Sequence, residues 1–236
     1  MRPTLAAALA LITSAALLGM APPAPEEPPP LPATLADTGG GDQLITAVAP
    51  ATGSTTGTVT WWDRRDGDWV EAGSAPARFG ANGLVEGGTR KQGTNTTPTG
   101  LYDLPYAFGI EPAPTGTTYT YRPVRQESWW CQDNDSADYN RWSEPRAADC
   151  RAGHAEHLVT YGTQYAYALV IGFNYHTPVR GRGAGIFLHV NGSGPTAGCV
   201  SVPADAMRAI LTWARPEARP HIAVGTQDGT TAITRY

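Results

Sequence analysis

Residues 183–203 read GAGIFLHVNGSGPTAGCVSVP. Ile186 to Val190 is an apolar run broken only by His189, the composition of a buried strand. Asn191 to Gly198 is rich in glycine and carries Pro195, so it reads as a turn-forming loop. Cys199 follows directly. Beyond Pro203 the pattern changes: Met207, Ile210, Leu211 and Ala214 fall at i, i+3, i+4 and i+7, with Pro216 past the end. That spacing predicts the one helix of the chain, and Ser201 is expected to help cap it. Strand, loop, cysteine and helix in this order bring a strand-borne histidine and a loop-borne cysteine together across one tight connection.

The residue types suit nucleophilic chemistry. A free thiol titrates near pH ~8.5, so little of it is thiolate at neutral pH. An imidazole beside it accepts the proton or, once charged, stabilises the thiolate. Glycine before the nucleophile lets a carbonyl approach the backbone, and the N–H groups of Gly198 and Cys199 are the expected oxyanion binders. On types alone, a buried structural cysteine and a satisfied core histidine explain the same residues equally well.

Outward from this segment, short β-prone runs alternate with Gly/Pro turns. QLITAVA, TVTWWD, DWVEA, YTYRPV, EHLVTY, YAYALVIGF, GIFLHV, PHIAVG and TAITRY are the expected strands. The fold class is therefore mainly β, a sandwich or open barrel with one helix packed beside it. The 236 residues suffice for a sizeable core. A net charge of -4 gives no basic field for nucleic acid or an anionic membrane surface.

The N-terminus reads as an export signal. Arg2 precedes an apolar run from Leu5 to Leu18, too short to span a bilayer comfortably. An uncleaved anchor is the alternative. The expected organisation is a signal peptide over 1–21, a Pro/Gly-rich linker over 22–41 with Pro22 to Pro32 as an extended, solvated tether, and one domain over 42–236. With a cleaved signal no stable membrane span remains. In an exported chain, three cysteines read most simply as a pair plus one free thiol. Cys131 and Cys150 flank a polar loop, and Cys199 is the remainder.

Two metal readings fail on spacing. His154-Ala155-Glu156-His157 lacks the four-residue His interval of helical zinc sites, and a structural or cleft-lining role is expected instead. Asp133 to Asp138 lacks the glycine of a calcium loop, and a solvated polar loop stapled by the bridge is expected. Trp129, Trp130, Tyr139 and Trp142 cluster there, as a flap over the cleft or a small satellite core.

The chain resembles the YkuD-type L,D-transpeptidases. His189 matches that family's histidine after a strand, and Thr196, Gly198 and Cys199 match its Ser/Thr-x-Gly-Cys signature. Thr97-Pro98-Thr99-Gly100-Leu101-Tyr102 resembles its TP-x-G-x-Y/F element, after Arg90-Lys91-Gln92-Gly93. Tyr139-Asn140, Glu156-His157-Leu158, and Gly172-Phe173-Asn174 before Pro178-Val179 look like further landmarks, so the resemblance covers most of Gln43 to Gly225. The loop between histidine and cysteine is of the short type.

The resemblance implies a secreted, wall-associated acyltransferase acting on peptidoglycan stem peptides, with no metal or organic cofactor. Cys199 would be the nucleophile and His189 its base. Thr196, Tyr139, Asn174, Arg180 and Arg182 are the expected substrate contacts. Acylation of the same thiol by carbapenems is implied as well. Transpeptidation forming 3→3 cross-links is the first reading, carboxypeptidation, in which water resolves the thioester and which the sequence does not separate from it, is the second, and a wall-binding module without chemistry is the third. The chain departs from the family pattern at Ala197, where His or Lys is common, and at Ser201, where Arg often stands. Arg180 or Arg182 is expected to replace that arginine.

Overall fold

Asp66 and Gly67 both hold positive φ, at 52° and 98°, and they turn the longest hairpin of the chain. The computed structural model describes residues 29–227. The expected signal peptide, the start of the linker and TAITRY lie outside the described residues. The described end of the expected tether is not extended. Leu31–Thr34 forms a single helical turn, α1, whose Leu31, with Leu35, packs against Leu44 and Ala223.

The strands are β1 (Gln43–Ala49), β2 (Thr56–Arg65), β3 (Asp68–Arg78), β4 (Leu84–Glu86), β5 (Thr97–Asp103), β6 (Ala107–Gly109), β7 (Tyr121–Pro123), β8 (Trp129–Cys131), β9 (Arg141–Ser143), β10 (Ala155–His157), β11 (Ala168–Val170), β12 (Phe187–Val190), β13 (Val200–Val202) and β14 (His221–Thr226). Eleven form one sheet in the order β4-β5-β14-β1-β2-β3-β13-β12-β11-β6-β7, and β10-β8-β9 form a second. The chain is mainly β, as expected. β2 and β3 pair from Thr56↔Arg78 to Arg65↔Asp68, so Asp66-Gly67 is a two-residue turn of the type whose twist suits a hairpin.

The large sheet bends around a core that it shares with the helix α2 (Ala204–Trp213). Ile45, Val59, Leu188, Val200, Met207 and Ile210 all belong to that core. Met207, Ile210 and Leu211 are fully buried, each contributing roughly 1.5–3 kcal/mol of apolar transfer. The other face of the sheet carries a second core around Phe108, Trp130, Tyr165, Phe187 and Cys199. Alternation along β12 sends Leu188 and Val190 to the first core and Phe187 to the second. Among the described residues no helix is long and apolar enough to cross a membrane.

Several local expectations are corrected. Ser201 does not cap α2: it lies in β13, and its hydroxyl donates to Asn191 Oδ1 at 2.8 Å. Pro203 is the cap residue, without a side-chain bond. EHLVTY is a strand only to His157, because buried Leu158 anchors a 3-10 turn over Leu158–Thr160. Of YAYALVIGF only Ala168–Val170 is strand. The aromatic cluster is no flap. Trp130 is fully buried and packs edge-on to Phe187 at 4.8 Å. Nor is the polar loop merely solvated. Asp133 is fully buried and accepts from Arg151 Nε and N–H at 2.7 and 2.9 Å. The guanidinium takes the place a cation would fill and holds the carboxyl well below the usual range. No metal-ligating cluster occurs among the described residues.

Cys131 and Cys150 are bridged, with Cα atoms 6.1 Å apart. Closing a loop of this length contributes about 3 kcal/mol. Beside the bridge, Gln132 donates to Glu156 Oε1 at 2.7 Å and accepts from Gln92 Nε2 at 2.7 Å, and all three line the cavity described below. The Cys131→Ala, Cys150→Ala variant is expected to lose about 3 kcal/mol in urea unfolding and to slow turnover beyond the fraction unfolded. Full turnover per folded molecule would confine the bridge to stability.

Candidate active site

β12 and β13 run parallel, with His189 paired to Ser201 and Leu188 to Val200. Cys199 therefore stands one residue before β13 and on the same sheet face as His189, one diagonal step away. Both side chains open on a cavity of about 340 Å³. Cys199 is the free cysteine.

The cysteine loop is held from several sides. The Cys199 carbonyl accepts from Thr196 Oγ1 at 2.7 Å and from Thr97 Oγ1 at 3.2 Å. Thr97, the first residue of the TP-x-G element, thus reaches Cys199 across 102 residues of sequence. Gly198 sits at φ +136°, a region that favours glycine. Its N–H is donated to Thr196 Oγ1 at 3.1 Å. The Gly198 N–H expected to bind an oxyanion is thus already engaged within the loop.

The Cys199 thiol is bonded on two sides. Sγ donates to the Gly185 carbonyl at 3.3 Å and accepts from Phe187 N–H at 3.4 Å. Burial, then the nearby Glu156 carboxyl, push it up to about 12. Burial lowers His189 to about 4. A carbonyl can only accept, so the 2.7 Å contact from His189 Nδ1 to the Val190 oxygen fixes the proton on Nδ1. Nε2 is then the basic nitrogen. Both shifts favour the neutral forms, an uncharged imidazole and an uncharged thiol.

The remaining expected residues divide. Thr196 lines the cavity. Tyr139 does not: it is buried behind the wall, accepting from Gly183 N–H at 3.0 Å and donating to Gln92 Oε1 at 2.8 Å. Asn174 closes its own loop, bonding Val179 and Gly183. It lines a separate hollow together with the Arg182 side chain. Arg180 is exposed and bonds the Asn134 carbonyl. Neither arginine lines the cysteine cavity.

The arginine that does is Arg90. It is 6% exposed, with Nε donating to the Thr96 carbonyl at 2.7 Å and Nη1 to the Arg182 carbonyl at 3.2 Å. Burial lowers its pKa, opposed by the facing Cys199. Glu156 lines the opposite part of the cavity, as the cleft-lining reading of its segment expects. It accepts from Tyr165 OH and Gln132 Nε2, both at 2.7 Å, and burial raises it. Tyr165 also meets the His189 ring edge-on at 5.7 Å. Arg90 was legible only as a charged residue before the TP-x-G element, and Tyr165 carried no signal beyond the expected strand YAYALVIGF, which the structure confines to Ala168–Val170.

The YkuD family model, described as an L,D-transpeptidase catalytic domain, matches residues 54–230. No curated protein matches the sequence. The solved structure of Bdellovibrio bacteriovorus Bd1075 is similar at 14% identity and a TM-score of 0.40, over 78% of this chain and 47% of that one. The chain thus spans about half the length of that protein.

Proposed function

Because the chain belongs to the YkuD L,D-transpeptidase catalytic-domain family, we propose that it is a cysteine acyltransferase of peptidoglycan. Cys199 attacks the carbonyl of the diamino acid at stem position three, and His189 Nε2 takes the thiol proton. The tetrahedral intermediate expels the terminal D-alanine, whose nitrogen receives that proton. The resulting thioester is aminolysed by a neighbouring stem, giving a 3→3 cross-link. The supporting observation is that His189 and the free thiol of Cys199 face one cavity from adjacent parallel strands. Hydrolysis of the same thioester, an L,D-carboxypeptidase activity, uses identical groups.

Export follows from the N-terminal signal reading. The disulfide and a peptidoglycan-directed domain agree with a place outside the cytoplasm, and we assign the protein to the wall.

The test has two parts. Whole-protein mass spectrometry after exposure to a carbapenem is expected to show one covalent adduct, absent in Cys199→Ser. Incubation with stem tetrapeptides is expected to give cross-linked dimers. Monomeric tripeptide alone would assign the carboxypeptidase. No adduct and no product would leave the wall-binding reading.

A further inference from the structure

Arg90 is a buried cation without an anion. Among the described residues no carboxylate pairs with it, and the groups that raise its pKa are Cys199, Tyr139 and Tyr102. A desolvated guanidinium in a protein ordinarily has a carboxylate or phosphate partner. Here Nε and one Nη1 hydrogen donate to backbone carbonyls and the group lies over the Phe173 ring at 5.7 Å, which together lock its plane. Nη2 remains. It stands 2.7 Å from the point where a Cβ on Gly198 would lie, directly beside the nucleophile. Gly198 therefore keeps open the space in front of Nη2, and the cavity supplies an approach from solvent.

We infer that Arg90 Nη2 is the subsite for the free C-terminal carboxylate of the residue that leaves. The inference rests on the acyl-transfer reading above. The geometry favours that carboxylate because Nη2 borders the cysteine loop itself. In a stem tetrapeptide the terminal carboxylate is one residue from the scissile carbonyl, whereas the diamino acid's own carboxylate sits at the end of a long side chain. The arrangement makes the enzyme a reader of chain ends. It engages stems with one residue beyond the diamino acid, and a blocked terminus leaves the buried charge unpaired. It also accounts for the serine at position 201, where relatives often carry arginine: the cation enters from the segment before β5 instead.

The test compares three donors: the free tetrapeptide, its C-terminal amide, and the peptide amidated only on the diamino acid's side-chain carboxylate. Wild-type kcat/KM is expected to favour the free peptide over the terminal amide by roughly 10- to 100-fold, with the side-chain amide processed like the free peptide. Arg90→Gln is expected to bring the ratio to within about twofold by losing rate only on substrates with a free terminus. Arg90→Lys is expected to retain part of the preference, since a point charge remains. Because each ratio is internal to one preparation, partial misfolding does not mimic the result. A ratio unchanged in Arg90→Gln, or equal losses on acid and amide, would overturn the subsite and assign the charge to the sulfur. Discrimination against the side-chain amide would overturn it too. Binding of acid and amide to Cys199→Ser, measured by calorimetry, gives the same ratio without turnover. A preference there with no wild-type turnover would sink the acyl-transfer reading and leave the carboxylate subsite standing.

Discussion

His189→Gln is expected to lower kcat/KM by roughly 10²- to 10⁴-fold, the range for a positioned general base. Glutamine can still donate to the Val190 carbonyl that His189 Nδ1 reaches at 2.7 Å, so the strand survives, and only the edge-on ring contact with Tyr165 is lost. What it lacks is a nitrogen that accepts a proton. The expectation is sharp here because burial keeps the thiol up to about 12: without a base there is almost no thiolate at neutral pH. Thermal unfolding should change little, and iodoacetamide labelling of Cys199 should slow in parallel with turnover. A variant that labels and turns over like wild type would remove His189 from the mechanism.

The same values set the pH profile. His189 is lowered from the usual 6.5 to about 4, so it stays neutral, and able to accept, across the mildly acidic range. Activity is expected to persist down to about pH 4 and to fall below it, not near 6.5. Stability moves differently. The unfolded chain takes up the proton first, so the neutral folded imidazole loses ground as pH falls from 6.5 toward about 4, by about 3 kcal/mol in total. No alkaline limb from the thiol should appear below the top of the measurable range. An acid limb near 6.5 in kcat/KM would show a more solvated or ion-paired histidine than the one described.

The placement of His189 and Cys199 on one cavity was legible because strand, loop and cysteine are contiguous, and a buried apolar run followed by glycine-rich turn chemistry has few other foldings. The helix was legible for the same reason: its period is carried within ten residues. The three-residue strands β4, β6, β8, β9 and β13 were not, since such a stretch has no period to read, and β5 was missed because its Pro98 and Gly100 read as turn residues. The cavity was the least legible part. Arg90, Gln132, Glu156 and Tyr165 come from separate segments and meet only through sheet pairing and the disulfide loop. Arg180 and Arg182 were expected to replace the arginine that the family often carries at position 201. Their loop instead folds back on Asn174, whose side chain binds Val179 and Gly183.

Asn140→Ala is expected to be the most disruptive single change outside the cysteine and histidine. Its Oδ1 accepts from Trp130 Nε1 at 3.0 Å and Gly185 N–H at 2.9 Å, and Nδ2 donates to the Asn174 carbonyl at 2.6 Å. These partners are walled in by the second core, so water does not readily replace the lost amide, and each orphaned N–H costs about 1–3 kcal/mol. Asn140 also holds φ 58°, which alanine tolerates poorly. The sum is about 4 kcal/mol, a large share of an ordinary domain's stability. Asn140→Gly separates the causes, because it keeps the backbone conformation and loses the amide; it should recover about 1 kcal/mol of the alanine penalty. The effect on chemistry is specific. Gly185 supplies the carbonyl to which the Cys199 thiol donates at 3.3 Å, and Gly185 is fixed through Asn140. With that anchor gone the resting sulfur loses its orientation, so turnover per folded molecule should fall in both variants, with the glycine variant showing the catalytic loss at the smaller stability cost. Unfolding curves superimposable on wild type, or normal turnover in Asn140→Gly, would mean that Gly185 is held by the surrounding backbone alone.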